Sequence, residues 1–515
     1  MKHRYMPEAH LASGLMTGAL RDARPIDVPY AAVQETHSGV VFLIGDRAYK
    51  CKKPVNLGFL DFRTLQSRRA CCEREVELNR RLAPDVYIGV AELQDPVTGI
   101  GEPLVLMHRM PGARRLSTLL QSGERLDDTV EQLARIMAAF HAGADRSADI
   151  SSEGTRDAIE QRWTTSFEQV GPLAEDTLGG AQLTEIEDEV RKFLAGRERL
   201  FDHRVAAGRI VDGHGDLICD DIFSLDDGPR ILDCLEFDDR LRYIDGLDDI
   251  AFLAMDLEKL GAAHLARLLL DRYSDFAGDP APASLRHHYI AYRAFVRVKV
   301  NCLRHAQGER PAAADARAYA DIAIRHLRVG AVRMILVGGL PGAGKSTVAG
   351  LVADRLGAVL LSTDRLRKEI SGLAPLTRVR QPYARGLYDQ KHSARMYSEL
   401  LGRAALLLGM GESVVLDGSW NNARLRSQAA HTAKHVNAQL SQVECWAPPH
   451  MRQARLLARR AGVSDADPAV AARMALDADP WPPQARVINT GAPGDTLHQA
   501  LSVIGAAHTT EPADV

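Results

Sequence analysis

Gly339, Gly342, Gly344, Lys345 and Ser346 stand at the spacing G-x-x-x-x-G-K-[ST], in the run Gly339-Leu340-Pro341-Gly342-Ala343-Gly344-Lys345-Ser346-Thr347. Such a loop turns backbone N–H groups inward on a chain of phosphates, and the helix that follows adds its positive dipole end. A lysine at this place reaches the β- and γ-phosphates, and the hydroxyl after it suits Mg²⁺. The loop needs a strand before it and a helix after it. Met334 to Val337 is an apolar run, and Val348 to Leu356 has helical periodicity.

A second set of residues could also move phosphate. His214-Gly215-Asp216-Leu217-Ile218-Cys219-Asp220-Asp221-Ile222 places a carboxylate five residues after Asp216, and Asp233 follows in the short apolar run Ile231-Leu232-Asp233-Cys234. Asp216 is placed to take the proton of an attacking hydroxyl, and Asp233 to hold the Mg²⁺ that bridges nucleotide phosphates. Asp245, Asp248 and Asp249 precede an apolar helix and read as N-capping residues.

These residues resemble the H-G-D-x-x-x-x-N motif of the aminoglycoside and choline kinase family, protein-kinase-like folds that phosphorylate small hydroxylated molecules. The resemblance spans about residues 35 to 300. It implies that the strands at 40–52 cover the nucleotide and that Lys50 or Lys52 is the nucleotide lysine. Both lie on one strand face, and Lys50 is preferred. It implies Glu75 as the partner of that lysine, Met107 to Met110 as the segment beside adenine, and Asp221 as second metal ligand where the family has Asn. Asp can bind Mg²⁺ through oxygen with one more negative charge.

Four strands, at 334–337, 358–362, 413–417 and 442–446, alternate with helices in the last third of the chain, which predicts a parallel sheet. Asp364 follows the second strand, where a carboxylate can take the acceptor's proton. Arg365 or Arg367 could hold an acidic acceptor. Asp417 ends the third strand, on the metal side or in the acceptor pocket, with Trp420 and Asn421 at the rim. Arg452, Arg455, Arg459 and Arg460 share a predicted helix, and Arg455 and Arg459 face one way at i, i+4. This part resembles P-loop kinases related to gluconate and polynucleotide 5′-hydroxyl kinases, in which a lid arginine closes on the transferring phosphoryl group.

The elements that must position these groups are an N-terminal helix, a hairpin at Val40–Lys52, helices at 67–82 and 127–143, and a helical stretch from 246 to 328. The expected organisation is α/β plus α+β. A protein-kinase-like two-lobed domain (lobes 1–110 and 111–329) is followed by a P-loop NTPase parallel-sheet domain (330–515). The whole resembles bifunctional aminoglycoside phosphotransferase/ATP-binding proteins. The boundary at Arg328-Val329-Gly330 is too short for a flexible tether, and the tail from about 506 is expected to be disordered.

At 515 residues, 46% hydrophobic and 25% charged, the composition is that of a globular protein. A net charge of −3 supplies no global field for nucleic acid or anionic membrane. No apolar run reaches the length of a membrane span. Seven cysteines without a C-x-x-C pair fit a reducing cytoplasm. The expected cofactors are ATP and Mg²⁺, and the expected partners are small hydroxyl-bearing acceptors. Two other functions fit the residues less fully: a regulatory ATP-binding protein with a degenerate kinase-like domain, and a polynucleotide 5′-hydroxyl kinase.

Overall fold

The structure, a computed structural model, describes residues 29–505 apart from 36–38, 57–60, 95, 98, 375–376, 378–385, 387–388 and 459–466. The expected N-terminal helix, the tail beyond 506, and Arg459 and Arg460 lie outside the described residues. The chain divides into two compact units, 1–110 and 111–515.

The first unit is an antiparallel sheet with the spatial order Ala31–Glu35, Gly39–Ile44, Arg47–Lys52, Gly101–His108, Tyr87–Gln94. The expected hairpin is present: Ile44 pairs with Arg47 across Gly45-Asp46, and Gly45 takes the left-handed φ of +58° that this tight turn requires. One helix, Leu65–Asn79, packs on the sheet. Thr64 caps it, its Oγ1 accepting from the Ser67 N–H at 3.1 Å. The helix ends at Asn79, short of the expected 82, and residues 80–83 continue as turns whose N–H groups at Leu82 and Ala83 donate to Asn79 O.

In the second unit, residues 111–329 are mainly helical. The helix Gly246–Lys259 lies at the centre, with Ile250, Phe252, Leu253, Met255 and Leu257 all buried. A helix apolar on every side must be surrounded, here by Asp127–Gly143, Ala263–Ala277 and Ala283–Ala306. Two small antiparallel two-stranded sheets interrupt the helices: Ile210–Asp212 with Tyr243–Asp245, and the hairpin Ile222–Leu225 with Gly228–Ile231.

After Gly330-Ala331-Val332 comes a parallel five-stranded sheet. Its spatial order is Val359–Ser362, Val414–Asp417, Arg333–Gly338, Gln439–Trp446, Arg486–Ile488. The four expected strands are there, and a fifth of three residues completes the edge. Every residue of Arg333–Gly338 is buried, as a central parallel strand covered on both faces should be. The first strand lies between the third and fourth, so connections leave it in both directions and open a crevice at its C-terminal end. The helical part and the sheet are bonded together. Arg197 donates to the carbonyls of Val436 (2.8 Å) and Asn437 (3.2 Å), and Ser284 Oγ donates to Gly411 O at 2.7 Å.

Candidate active sites

The glycine loop occupies that crevice. Gly344 sits at φ +89° ahead of the helix Lys345–Leu356, and a Cβ there would lie 2.0 Å from Asn489 Nδ2. Gly339 sits at φ +127°, and its Cβ would lie 2.3 Å from the Cys445 carbonyl. Both positions therefore exclude any side chain. Asn489 braces the loop, its Nδ2 donating to Ala343 O at 2.8 Å. The sequence pattern gave no signal for it beyond an amide after a short apolar run.

Ser346 Oγ donates to Asp417 Oδ2 at 2.8 Å, and Lys345 Nζ donates to Leu340 O at 3.2 Å, folded over its own loop. Burial pushes the Asp417 carboxyl up; Lys345 and Ser346 oppose this, and Asp364 adds to it. Asp364, Asp417, Lys345 and Ser346 thus form one cluster. Asp364 is not the helix cap: Ser362 holds that place, and Asp364 lies in the first turn, bonded by Arg367 Nη1 at 2.8 Å. Arg367 is engaged there, while Arg365 is exposed. Arg455 donates to Asn489 O (3.0 Å) and Gly342 O (3.4 Å), which places its guanidinium at the loop. Trp420 is a correction to the rim reading. Its backbone is left-handed (φ +49°), and its ring is fully buried beside Tyr397, with Nε1 donating to Leu416 O at 3.0 Å.

In the helical part, His214 joins two loops. Its ring Nε2 lies 3.1 Å from Leu232 O, and its carbonyl accepts from the Leu235 N–H at 3.1 Å. These bonds bring Asp216 and Asp233 together. The carbonyl of Asp221 accepts from the Leu232 N–H at 2.9 Å, which ties its backbone to the segment that carries Asp233. Burial pushes the Asp216 carboxyl up to about 6, against the pull of Arg297 and with the added charge of Asp233. Asp233 has φ +62°, a conformation that costs an aspartate roughly 1–2 kcal/mol and is held by its neighbours.

N-capping explains only Asp245, whose Oδ1 accepts from the Leu247 N–H at 2.9 Å. Asp249 instead reaches back under the His214–Asp216 loop. Its carboxylate accepts from the backbone N–H groups of His214 (2.6 Å) and Gly215 (3.0 Å), and lies 3.1 Å from His141 Nε2. Asp248 pairs with Arg293 at 2.7 and 3.0 Å, and Arg293 Nη1 donates to Gly215 O at 3.2 Å. Acid residues before an apolar helix carry the same signature whether they cap it or anchor a loop above it.

In the first unit, Glu75 is fully buried between the two candidate lysines: Lys50 Nζ is 3.0 Å from Oε1 and Lys52 Nζ is 2.6 Å from Oε2. Both face it because residues i and i+2 share a strand face. Lys52 is 2% exposed and Lys50 14%. Lys52→Met is expected to cost about 3–5 kcal/mol in unfolding free energy, since it leaves Glu75 with half its compensation. Lys50→Met removes the more exposed and more distant of the two cations, so it is expected to cost less, about 1–3 kcal/mol, while weakening ATP-dependent turnover roughly ten-fold or more. Denaturant titration beside steady-state kinetics separates the two lysines.

Both clusters offer oxygen donors suited to a hard cation: Ser346 and Asp417 in one, Asp221 and Asp233 in the other. Among the described residues no three His, Cys, Asp or Glu side chains form a metal cage. Mg²⁺ held jointly by one or two carboxylates and by phosphates needs none. None of the seven cysteines is in a disulfide. No helix among the described residues is long and apolar enough to cross a membrane.

The AAA domain family (AAA_33) matches residues 334–480. Over 483 residues the chain is 42% identical to Rv2004c of Mycobacterium tuberculosis, described as an uncharacterized protein, covering 94% of this chain and 97% of that one. Mb2027c of Mycobacterium bovis matches with the same figures. Among solved structures, a choline/ethanolamine kinase family protein from Mesorhizobium loti is similar at 16% identity and TM-score 0.35, covering 59% of this chain and 96% of that one. A gluconokinase from Sinorhizobium meliloti is similar at 17% identity and TM-score 0.25, covering 34% and 91%.

Proposed function

The chain belongs to the family of the mycobacterial protein Rv2004c, and from its two carboxylate-bearing phosphate-transfer clusters we propose that it is an ATP-dependent phosphotransferase with two nucleotide sites, each passing the γ-phosphoryl group to a hydroxyl of a small molecule. The observation that carries this reading is duplication. A glycine loop with Lys345, Ser346 and Asp417 and a separate loop with Asp216, Asp221 and Asp233 each supply a base and oxygen ligands.

In each reaction the acceptor oxygen bonds to Pγ as the bond from Pγ to the β,γ-bridging oxygen breaks, and ADP leaves with that electron pair. The acceptor's proton goes to a carboxylate, Asp216 in the helical part and Asp364 beside the glycine loop. Asp249 and Arg293 keep the backbone of His214 and Gly215 fixed while this happens. Bound Mg²⁺ would offset phosphate charge, held by Asp221 and Asp233 in one site and by Ser346 and Asp417 in the other. Lys345 and Arg455 supply positive charge to the phosphates at the glycine loop, with Gly339 to Thr347 as the cradle. Lys50, or Lys52, held by Glu75, is the corresponding lysine of the kinase-like domain.

The full-length protein, given Mg-ATP and panels of sugars, amino alcohols and aminoglycosides, should release ADP faster with at least one acceptor. ATP turnover indifferent to every acceptor would favour the regulatory ATPase reading instead.

A further inference from the structure

A cavity of about 330 Å³ lies between the helical part and the parallel sheet, at the end of the sheet away from the glycine loop. Its walls include Arg333, the first residue of the central strand, and Arg355, in the last turn of the helix that begins at Lys345. The glycine loop is roughly 16 Å away along that strand. The volume is that of a small-metabolite site.

Its charge is unusual. Four guanidinium groups line it: Arg267, Arg286, Arg333 and Arg355. Arg286 is paired with Asp271 at 2.8 Å. Arg333 is 7% exposed, and its Nη atoms donate only to backbone carbonyls, of Arg328, Val329 and Ala331. Its Nε has no acceptor, and no carboxylate of a described residue lies within 4 Å. Arg355 is exposed and makes no hydrogen bond or ion pair with a described residue. The acids on the wall are fewer than these groups: Glu258 is paired with Arg325 and His326 and also feels the charge of Arg267, Asp271 is paired with Arg286, and Glu412 is half-buried, so four guanidiniums face three carboxylates. Burial first, and then the charge of His326, Arg286 and Arg325, holds His287 neutral, down to about 3. Burial pulls the Arg333 guanidinium below its ordinary range and the charge of Glu189 opposes this only in part, so a buried guanidinium with no carboxylate in bonding distance is stabilised when an anion arrives.

We propose that this cavity binds a phosphate-bearing small molecule, held by Arg333 and Arg355, at a site separate from both phosphate-transfer clusters. Guanidinium forks match phosphate oxygens two at a time, which a lysine-lined cavity would not do. The occupant would touch the far end of the glycine-loop helix and the helix Ala283–Ala306. That second helix carries Ser284 and His287 on the cavity wall and, farther along, Arg293 bonded to Gly215 O. One ligand therefore contacts a support of each cluster.

The test titrates inorganic pyrophosphate calorimetrically into full-length Lys345→Ala protein in EDTA, which silences the glycine loop and any metal-dependent phosphate binding. One molecule per chain is expected to bind, and Arg355→Ala is expected to weaken it at least ~10-fold. Arg333→Met should abolish it. If that variant does not fold, Arg355→Ala, at an exposed helix end, carries the test. Absence of binding, or binding unchanged by Arg355→Ala, overturns the proposal. So does binding seen in the unsubstituted protein but lost on Lys345→Ala, which would place the anion at the glycine loop.

Discussion

Lys345→Ala combined with Asp216→Ala is expected to abolish ATP-dependent phosphorylation of every acceptor, whereas each substitution alone removes only one of two activities. Removing Lys345 takes away the one side-chain cation that the glycine loop itself carries, a loss of about 10²–10³ in turnover. Removing Asp216 takes away the proposed general base, an expected loss of about 10²–10⁴. The two clusters are built on unrelated folds in different parts of the chain, so neither can substitute for the other. With Lys345 replaced, the remaining activity should fall on the acid side with an apparent pKa near 6 in kcat/KM, because burial pushes Asp216 up to about 6 and the base works only when ionised. Phosphorylation persisting in the double variant would show that the base or the loop has been misassigned.

Asp249→Ala is expected to be the most destabilising single substitution in the helical part, costing about 3–5 kcal/mol and lowering Tm by roughly 10 °C. The carboxylate is fully buried and accepts from two backbone N–H groups and faces His141, so its loss orphans all three. Burial alone would raise its pKa, but His141 and His214 outweigh burial and hold it below the usual carboxylate range. A carboxyl whose folded-state pKa is depressed contributes stability above its unfolded value, about 3.9, and loses that contribution as pH falls further. The wild-type chain should therefore lose stability below about pH 4 more steeply than Asp249→Asn. Asn keeps an acceptor oxygen but does not titrate. Thermal unfolding from pH 3 to pH 7 measures this; parallel curves for the two proteins would mean that Asp249 is not the group responsible.

Much of this arrangement could be read from residue patterns. The helix 127–143 has its apolar residues at helical spacing, and its ends fall where that spacing stops. Strand–helix alternation marked the parallel sheet, and the glycine spacing marked its loop. What escaped was set by contacts between distant segments. Asp249 and Asp248 look like helix caps because the loop they support lies more than thirty residues earlier in sequence. Neither lysine could be preferred decisively, because a strand face presents Lys50 and Lys52 alike and Glu75 meets both. Asn489 follows a three-residue edge strand too short to show a period. Trp420, an aromatic after a strand end, gave no hint that a left-handed backbone would turn it under Tyr397.

The bonds that cross from the helical part to the sheet bear on how these two pieces of the chain are inherited. Arg197 is 1% exposed, has no carboxylate partner among the described residues, and donates to Val436 and Asn437 across the boundary. Gly196 and Gly411 meet the opposite side so closely that a methyl group at either would collide with it. A gene cut at Gly330 would therefore release one fragment whose Arg197 keeps only the Gly196 carbonyl as acceptor and another with bare carbonyls at Val436 and Asn437. A substitution within one cluster leaves both pieces in place, whereas truncation at Gly330 is expected to leave neither piece sound. Lineages in which one piece has lost its role should accordingly retain it, as a chaperone built into the same chain.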